Sequence, residues 1–339
     1  MGAWPLTRIC SLAEYVRFFS KVGVPTESAL RRVGLPVYFD EDPEGWVLYG
    51  HLMRFVSEMA LREGIPDIGF HVFDFSRALH PEYLDPVLRA ANLEGALRLL
   101  SHNVKRQNTG VKLWYAITDE RVQLCAASPF SWKHPGYAIS ETRILRLAQG
   151  VVAAFAGEGF LPSRVLMSSR RRELHFDVEK AFGGVPVYTE RPFGALEFDR
   201  RLLAATGRSP TMRSPSHVET LAVDCRLPSS LSATLGECLI PYLSAGYPHV
   251  SMAAALVSCS VRTLQRRLHA EGTNYSEVVE DARRRAGTRA LLETNTGLAE
   301  IAARLGYSEQ SAFTRAFRRW TGTTPNRYRA GAAHLEKAG

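Results

Sequence analysis

The sequence predicts an α+β amino-terminal domain, helices plus a small antiparallel sheet, followed by an all-α carboxy-terminal domain in which two helix-turn-helix motifs are joined by a linker helix. Three observations predict it. The chain has 339 residues, more than one ordinary core holds, so two domains are expected. Between residues 206 and 230 it turns rich in Ser, Pro and Gly, the composition of a linker. Beyond that stretch it repeats itself weakly at an offset of 49 residues. The expected organisation is therefore a first domain over 1–205, a linker over 206–230, a helical domain over 231–332 and a tail over 333–339.

The amino-terminal elements follow in order. Residues 11–107 read as mostly helical, broken by turns at Gly23-Val24-Pro25, Gly34-Leu35-Pro36 and His80-Pro81. Residues 113–117 and 122–126 flank Thr118-Asp-Glu-Arg121 and predict a β-hairpin. Residues 139–157 form a long amphipathic helix, and 164–167, 185–188 and 195–198 read as short strands. Helices covering an antiparallel sheet is the composite these elements support.

The repeat carries more chemistry. Ser251-Met-Ala-Ala-Ala-Leu256 aligns with Glu300-Ile-Ala-Ala-Arg-Leu305, and the same offset superposes Leu264, Arg266 and Leu268 on Phe313, Arg315 and Phe317. Each unit is a short helix, a tight turn and a second helix. Ala253, Ala254, Ala302 and Ala303 are small enough for the two helices to cross closely. Leu264 with Leu268, and Phe313 with Phe317, are four apart and share one helix face, which leaves the other positions pointing away. Those are Arg262, Thr263, Gln265 and Arg266 in the first unit, and Gln310, Ser311, Thr314 and Arg315 in the second. Gln pairs with adenine N6/N7 and Arg with guanine O6/N7, while Ser and Thr are permissive, so these eight are the expected contacts to base edges.

Charge agrees with a polyanionic partner. Net charge is +8, and residues 229–339 hold 14 Lys and Arg against nine Asp and Glu, more than half of the excess on a third of the chain. Thirteen of those cations are arginine, whose planar fork suits phosphate and guanine. Between the units, residues 275–293 carry apolar positions at helical spacing. Nineteen residues make a rod of about 28 Å, able to hold two readers roughly one duplex turn, about 34 Å, apart. Arg283, Arg284, Arg285 and Arg289 on this rod, with Arg318 and Arg319 beyond the second reader, are the expected phosphate contacts. Gly287 weakens the rod by about 1 kcal/mol relative to Ala, with no reason visible in the sequence.

The residues Ile301-Ala-Ala-Arg-Leu-Gly-Tyr307, Ser311-Ala-Phe-Thr-Arg-Ala-Phe-Arg-Arg319, Gly322, Pro325 and Tyr328-Arg329, with Ser260-Val-Arg-Thr-Leu-Gln-Arg-Arg-Leu268 and Gly272 upstream, resemble the AraC/XylS family of bacterial transcription regulators over about 100 residues. Tyr275 departs from it, where many members carry a proline-like turn residue. The order of the amino-terminal elements is similar to the ornithine-utilisation-regulator subgroup, whose first domain is labelled an arabinose-binding type. The resemblance implies promoter double-stranded DNA as partner, contact with RNA polymerase, and an amino-terminal sensor that binds a small-molecule effector and dimerises, in an activator.

An effector pocket draws on aromatic and cationic side chains near the hairpin. Trp114, Tyr115, Trp132, His134 and Tyr137 cluster there in sequence, with Lys105 and Arg106 available for an anionic group. The competing reading makes the aromatics core. His71, His80 and His102 read as structural or solvated. Five scattered cysteines, Cys10, Cys125, Cys225, Cys238 and Cys259, form no C-x-x-C pair and read as reduced thiols. No apolar run spans a bilayer and no signal peptide is recognisable, so the chain is expected in the cytoplasm, without membrane, metal or cofactor. A Walker loop, a G-x-S-x-G elbow, H-E-x-x-H and a dinucleotide fingerprint are all missing, which argues against an enzyme. The rival reading is a ligand-independent architectural protein whose helical end docks a protein partner. A third, a hydrolase or transferase tethered to DNA, would need turnover.

Overall fold

The computed structural model describes residues 4–37, 45–72, 81–131, 133–174, 176–207 and 230–336. By its internal contacts the chain divides into two compact units, one formed by Pro5–Val37 with Val47–Leu227 and the other mainly by Pro228–Gly339. No described helix is long and apolar enough to cross a membrane.

In the amino-terminal unit the strands are β1 (Leu6–Arg8), β2 (Trp46–Leu48), β3 (Lys112–Ile117), β4 (Arg121–Ala127), β5 (Arg164–Leu166), β6 (Val187–Tyr188) and β7 (Gly194–Asp199). The helices are α1 (Ile9–Lys21), α2 (Glu27–Val33), α3 (Tyr49–Arg62), α4 (Ile68–His71), α5 (Pro81–Leu88), α6 (Leu93–Gln107), α7 (Tyr137–Ala156) and α8 (Val178–Ala181). β1 and β2 form a small ribbon, and the other five strands form one sheet in the order β3-β4-β7-β5-β6.

The β3–β4 hairpin pairs Leu113 with Ala126 and Ile117 with Val122, around a turn in which Thr118 bonds Arg121. Alternation places Val122, Leu124 and Ala126 in the core, where α7 packs on β4 and β7. The sheet corrects the antiparallel expectation at one place: β5 and β6 run parallel, Val165 beside Val187. The chain between them contains a 3-10 turn (Arg171–Glu173) and α8. A crossover of that kind is what parallel neighbours need, and a hairpin cannot supply it. Glu197 on β7 is buried and bonded by Arg164 and Gln123, at 2.7 and 3.0 Å. Burial alone would raise its carboxyl, but those two partners hold it below the usual range.

α7 is the axis of this unit. Its face toward α1 carries Arg143, which is buried and bonded to Glu14 at 2.8 Å. Its Glu141, also buried, accepts from the amides of Ser168 and Ser169 at 2.7 and 2.9 Å and from the Ser168 hydroxyl at 2.5 Å.

The carboxy-terminal unit contains α9 (Leu231–Leu239), α10 (Val250–Leu256), α11 (Val261–Ala270), α12 (Tyr275–Glu293), α13 (Leu298–Arg304), α14 (Gln310–Thr321) and α15 (Pro325–Glu336). Local chemistry sets its boundaries. α12 starts on a capping box, Asn274 with Glu277. At its other end the Arg329 guanidinium, from α15, donates to the carbonyls of Leu291 and Thr296 at 3.2 and 2.7 Å. Tyr275 donates its hydroxyl to the Pro248 carbonyl at 2.7 Å, which gives this departure from the family pattern a tethering role. Gly287 acquires a reason as well. A Cβ there would lie 3.0 Å from Leu305 and 3.3 Å from Phe313, so the missing side chain lets α13 and α14 close onto α12.

Candidate nucleic-acid interface

α10 with α11, and α13 with α14, are two helix pairs flanking α12. In α11, Leu264 and Leu268 are fully buried. In α14 their counterparts Phe313 and Phe317 are fully buried, with ring centroids 5.7 Å apart. Phe317 is held further by Trp320 and Tyr328. With one face so committed, helical periodicity turns Arg262, Gln265 and Arg266 of α11, and Gln310, Ser311 and Arg315 of α14, into solvent, and all six are exposed. The first helices contribute Ala253, Ala254, Leu256, Ile301 and Ala302 to the core. Ala303 is a correction: it is exposed, and the crossing rests on Ala302.

Two of the eight base-contact candidates are less available. Thr263 is half-buried, its amide bonded to Ser260 Oγ at 3.2 Å and its hydroxyl 3.0 Å from the same atom. It closes the amino-terminal cap of α11. Thr314 is half-buried on α14. The Ser311 hydroxyl donates to Glu309 at 3.0 Å.

The effector candidates do not converge on one place. Trp114 packs edge-on against Phe193 with centroids 5.2 Å apart, and Trp114 and Tyr115 are half-buried on the edge strand β3. Lys105 is exposed and Arg106 half-buried near the end of α6. Trp132 lies outside the described residues. Among the described candidates, His134 and Tyr137 line a cavity of this unit, a half-open space of about 320 Å³. Its other walls are Ser57, Ala60, Leu61 and Pro66 from α3 and the turn after it, Lys133 and Pro135 before α7, Ala138 and Ile139 on α7, and Arg172 and Phe176. His134 is occupied structurally: its ring stacks on Phe130 at 4.3 Å and its Nδ1 accepts from the Gly136 amide at 3.2 Å. Burial holds the ring below the usual imidazole range, aided by Arg54, against the pull of a hydrogen bond to the Gly50 backbone. The Tyr137 hydroxyl lies 2.5 Å from Ser168 Oγ and so joins this wall to the buried Glu141.

Residues 253–331 match the model of a helix-turn-helix domain. Residues 23–206 match that of the arabinose-binding domain found at the amino terminus of AraC transcription regulators, which is more than half of the chain. The chain belongs to the AraC family of DNA-binding transcriptional regulators. Along its length it is similar to the HTH-type transcriptional regulator VirS of Mycobacterium tuberculosis, 28% identical over 346 residues and 96% of each chain. It is also similar to the ornithine utilization regulator of Pseudomonas aeruginosa, 42% identical over 83 residues and 24% of each chain. The crystal structure of the transcriptional regulator CdpR from Pseudomonas aeruginosa aligns with 95% of this chain and 98% of its own at 19% identity and a TM-score of 0.41.

In this AraC-family regulator the expected phosphate contacts divide sharply. Arg283 is a correction. It is 8% exposed, donates to the Gly306 carbonyl at 3.4 Å, and lies over the rings of Tyr307 and Tyr247 at 4.7 and 5.5 Å. It is a core cation held by π-faces and a carbonyl, out of reach of a phosphate. Arg285 is largely buried and paired with Glu237 of α9 and with Asp281, the latter at 2.9 Å, so it fastens α9 to α12. Arg284, paired with Asp281 at 2.5 Å, stays exposed, and so do Arg318 and Arg319, although Arg319 pairs with Glu280 at 2.6 Å. Arg289 is half-buried. Sequence reasoning missed Lys133, although it lies between the candidates Trp132 and His134, and Arg172, which reaches this cavity from a segment 39 positions further along the chain.

Proposed function

We propose that α11 and α14 are the recognition helices of two helix-turn-helix units, that α12 spaces them for successive major grooves of promoter DNA, and that a small molecule bound by the amino-terminal unit controls transcription through them. The regulator acts as an activator, as a homodimer contacting RNA polymerase. One observation carries the DNA reading: both helices bury a large apolar pair four residues apart and offer solvent an arginine and an amide or hydroxyl from the opposite face. Arg266 and Arg315 hold equivalent positions in the two helices and are the strongest guanine readers, with Gln265 and Gln310 suited to adenine. Arg284, Arg318 and Arg319 supply backbone contacts.

Mutagenesis separates these roles. Arg266→Ala costs about 1–3 kcal/mol at one base-pair position and relaxes preference there, read by binding to a set of single-base operator variants. Arg284→Ala weakens all sequences alike and lowers the salt slope of log K by about one, read by titrations at several salt concentrations. If Arg266→Ala and Arg315→Ala both left sequence preference intact, the assignment of these helices as readers would be lost.

A further inference from the structure

We propose that Arg283 is a positioning residue for DNA recognition. It braces the two helix pairs against each other, fixes the separation and angle of α11 and α14, and so makes the protein selective for one spacing between the two half-sites it reads. This rests on the reading above, in which those helices enter successive major grooves.

The brace sits where the two pairs meet. Tyr247 lies in the segment that leads into α10, and Tyr307 lies in the turn between α13 and α14. Arg283, in the middle of α12, reaches both. Its guanidinium lies 5.5 Å from the Tyr247 ring and 4.7 Å from the Tyr307 ring, and it donates to the Gly306 carbonyl at 3.4 Å. Each ring passes the constraint onward. Tyr307 packs on Phe313 of α14 with centroids 5.9 Å apart, and Tyr247 meets Tyr275 edge-on at 6.3 Å. Beside the guanidinium the two backbones touch, since Gly306 lies too close to the Leu243 and Gly246 carbonyls for a Cβ.

The chemistry is unlike the filling of a core. The neighbours Arg284 and Arg285 pair with carboxylates, whereas the described contacts of Arg283 are two rings and one carbonyl. A buried cation without a carboxylate is costly. Two π-faces offset that cost only while both stand within about 6 Å of it. The rings come from different helix pairs, so a change in their relative placement withdraws one face and strands the charge. An apolar side chain would tolerate such a change. α12 by itself joins the pairs only end to end, through residues 271–274 and 294–297, where backbone torsions can turn one pair about the other. Contacts from its middle to both pairs triangulate the joint.

The consequence is read on DNA. One base pair added between half-sites moves one of them by about 3.4 Å and turns it by about 34°, which a braced protein cannot follow. The probes are a duplex selected from a randomised pool by the intact chain, the same duplex with one base pair inserted or removed between its halves, and each half alone in unrelated flanking DNA. Wild-type protein is expected to lose at least about tenfold in affinity on either spacing change, the loss of simultaneous engagement. Arg283→Met keeps a long apolar stem. It is expected to bind each half alone within about twofold of wild type, to bind the selected duplex at least about tenfold more weakly, and to lose less than about threefold on a spacing change. Arg283→Lys keeps a cation between the rings and restores most of the spacing penalty. Tyr247 is 52% exposed, so Tyr247→Leu costs little stability and gives the same relaxed spacing even if Arg283→Met fails to fold. A full spacing penalty in both Arg283→Met and Tyr247→Leu, an equal loss on half and whole duplexes, or an Arg283→Lys that behaves as Arg283→Met would each overturn the proposal. Failure of the two-reader reading looks different: the wild-type protein itself then selects a single half-site and is indifferent to spacing, and the brace falls with it.

Discussion

Arg143→Ala destabilises the amino-terminal unit by about 3–5 kcal/mol, the usual cost of leaving one member of a buried ion pair without its partner. The geometry explains the size. Arg143 is 8% exposed and its partner Glu14 equally buried; Ser11 Oγ accepts a weaker bond at 3.4 Å, and the Tyr15 ring lies 5.8 Å from the guanidinium. Burial by itself would push the Arg143 guanidinium down. The charge and hydrogen bond of Glu14 outweigh it and hold the group charged. Removing the cation therefore leaves the Glu14 carboxylate in a site built for a pair, and it also opens a cavity. In a unit of this size the loss shifts the thermal midpoint by about 6–20 °C. Calorimetry on the intact chain reads it as movement of one transition while the carboxy-terminal one stays in place. The companion variant Arg143→Met/Glu14→Leu removes both charges and recovers most of the loss. A midpoint shift under about 2 °C for Arg143→Ala would mean that the pair is solvated and contributes little.

That pair was invisible in the sequence, and the reason is physical. Glu14 and Arg143 are 129 residues apart, and each sits in a helix where an isolated charge reads as solvated. The same limit governs the three consecutive arginines of α12. Position alone distinguishes Arg283, Arg284 and Arg285 only by a helical rotation of about 100° per residue. Tyr307 and Tyr247 bury the first, Glu237 anchors the last, and only the middle one stays in solvent. Each of those partners comes from another element. Local pattern was enough elsewhere. Leu264, Leu268, Phe313 and Phe317 announced their buried faces because four-residue spacing is a property of one helix. Thr118 to Arg121 announced a turn because alternation on either side is a property of one hairpin. The parallel pairing of β5 with β6 depends on a crossover and left no such trace. Around the cavity, nearness in sequence misled. Trp114 and Tyr115 lie on a sheet edge, while Lys133 and Arg172, 39 positions apart, line one space.

Gly306→Ala is expected to disable the carboxy-terminal unit, because it meets two penalties at once. The residue has φ +74°, in the left-handed region where a Cβ costs about 1–2 kcal/mol. That Cβ would also lie 2.2 Å from the Leu243 carbonyl oxygen and 3.0 Å from that of Gly246. Both are backbone atoms that cannot rotate aside, and forcing such a contact costs about 1–3 kcal/mol more. The turn is also where Arg283 finds its carbonyl partner, so displacement of Gly306 loosens the cation stacked between Tyr307 and Tyr247. Gly322 provides the control. Its φ is +77°, but nothing lies within 4 Å of a Cβ there, so Gly322→Ala carries the conformational cost without the collision. Hydrogen exchange of the α12 and α14 amides, together with operator affinity, reads both variants. Gly306→Ala should lower protection by about 2–5 kcal/mol and abolish specific binding at temperatures where Gly322→Ala still binds. Equal effects of the two substitutions would show that the backbone around Leu243 yields, and that the turn before α14 is held by conformation rather than by close contact.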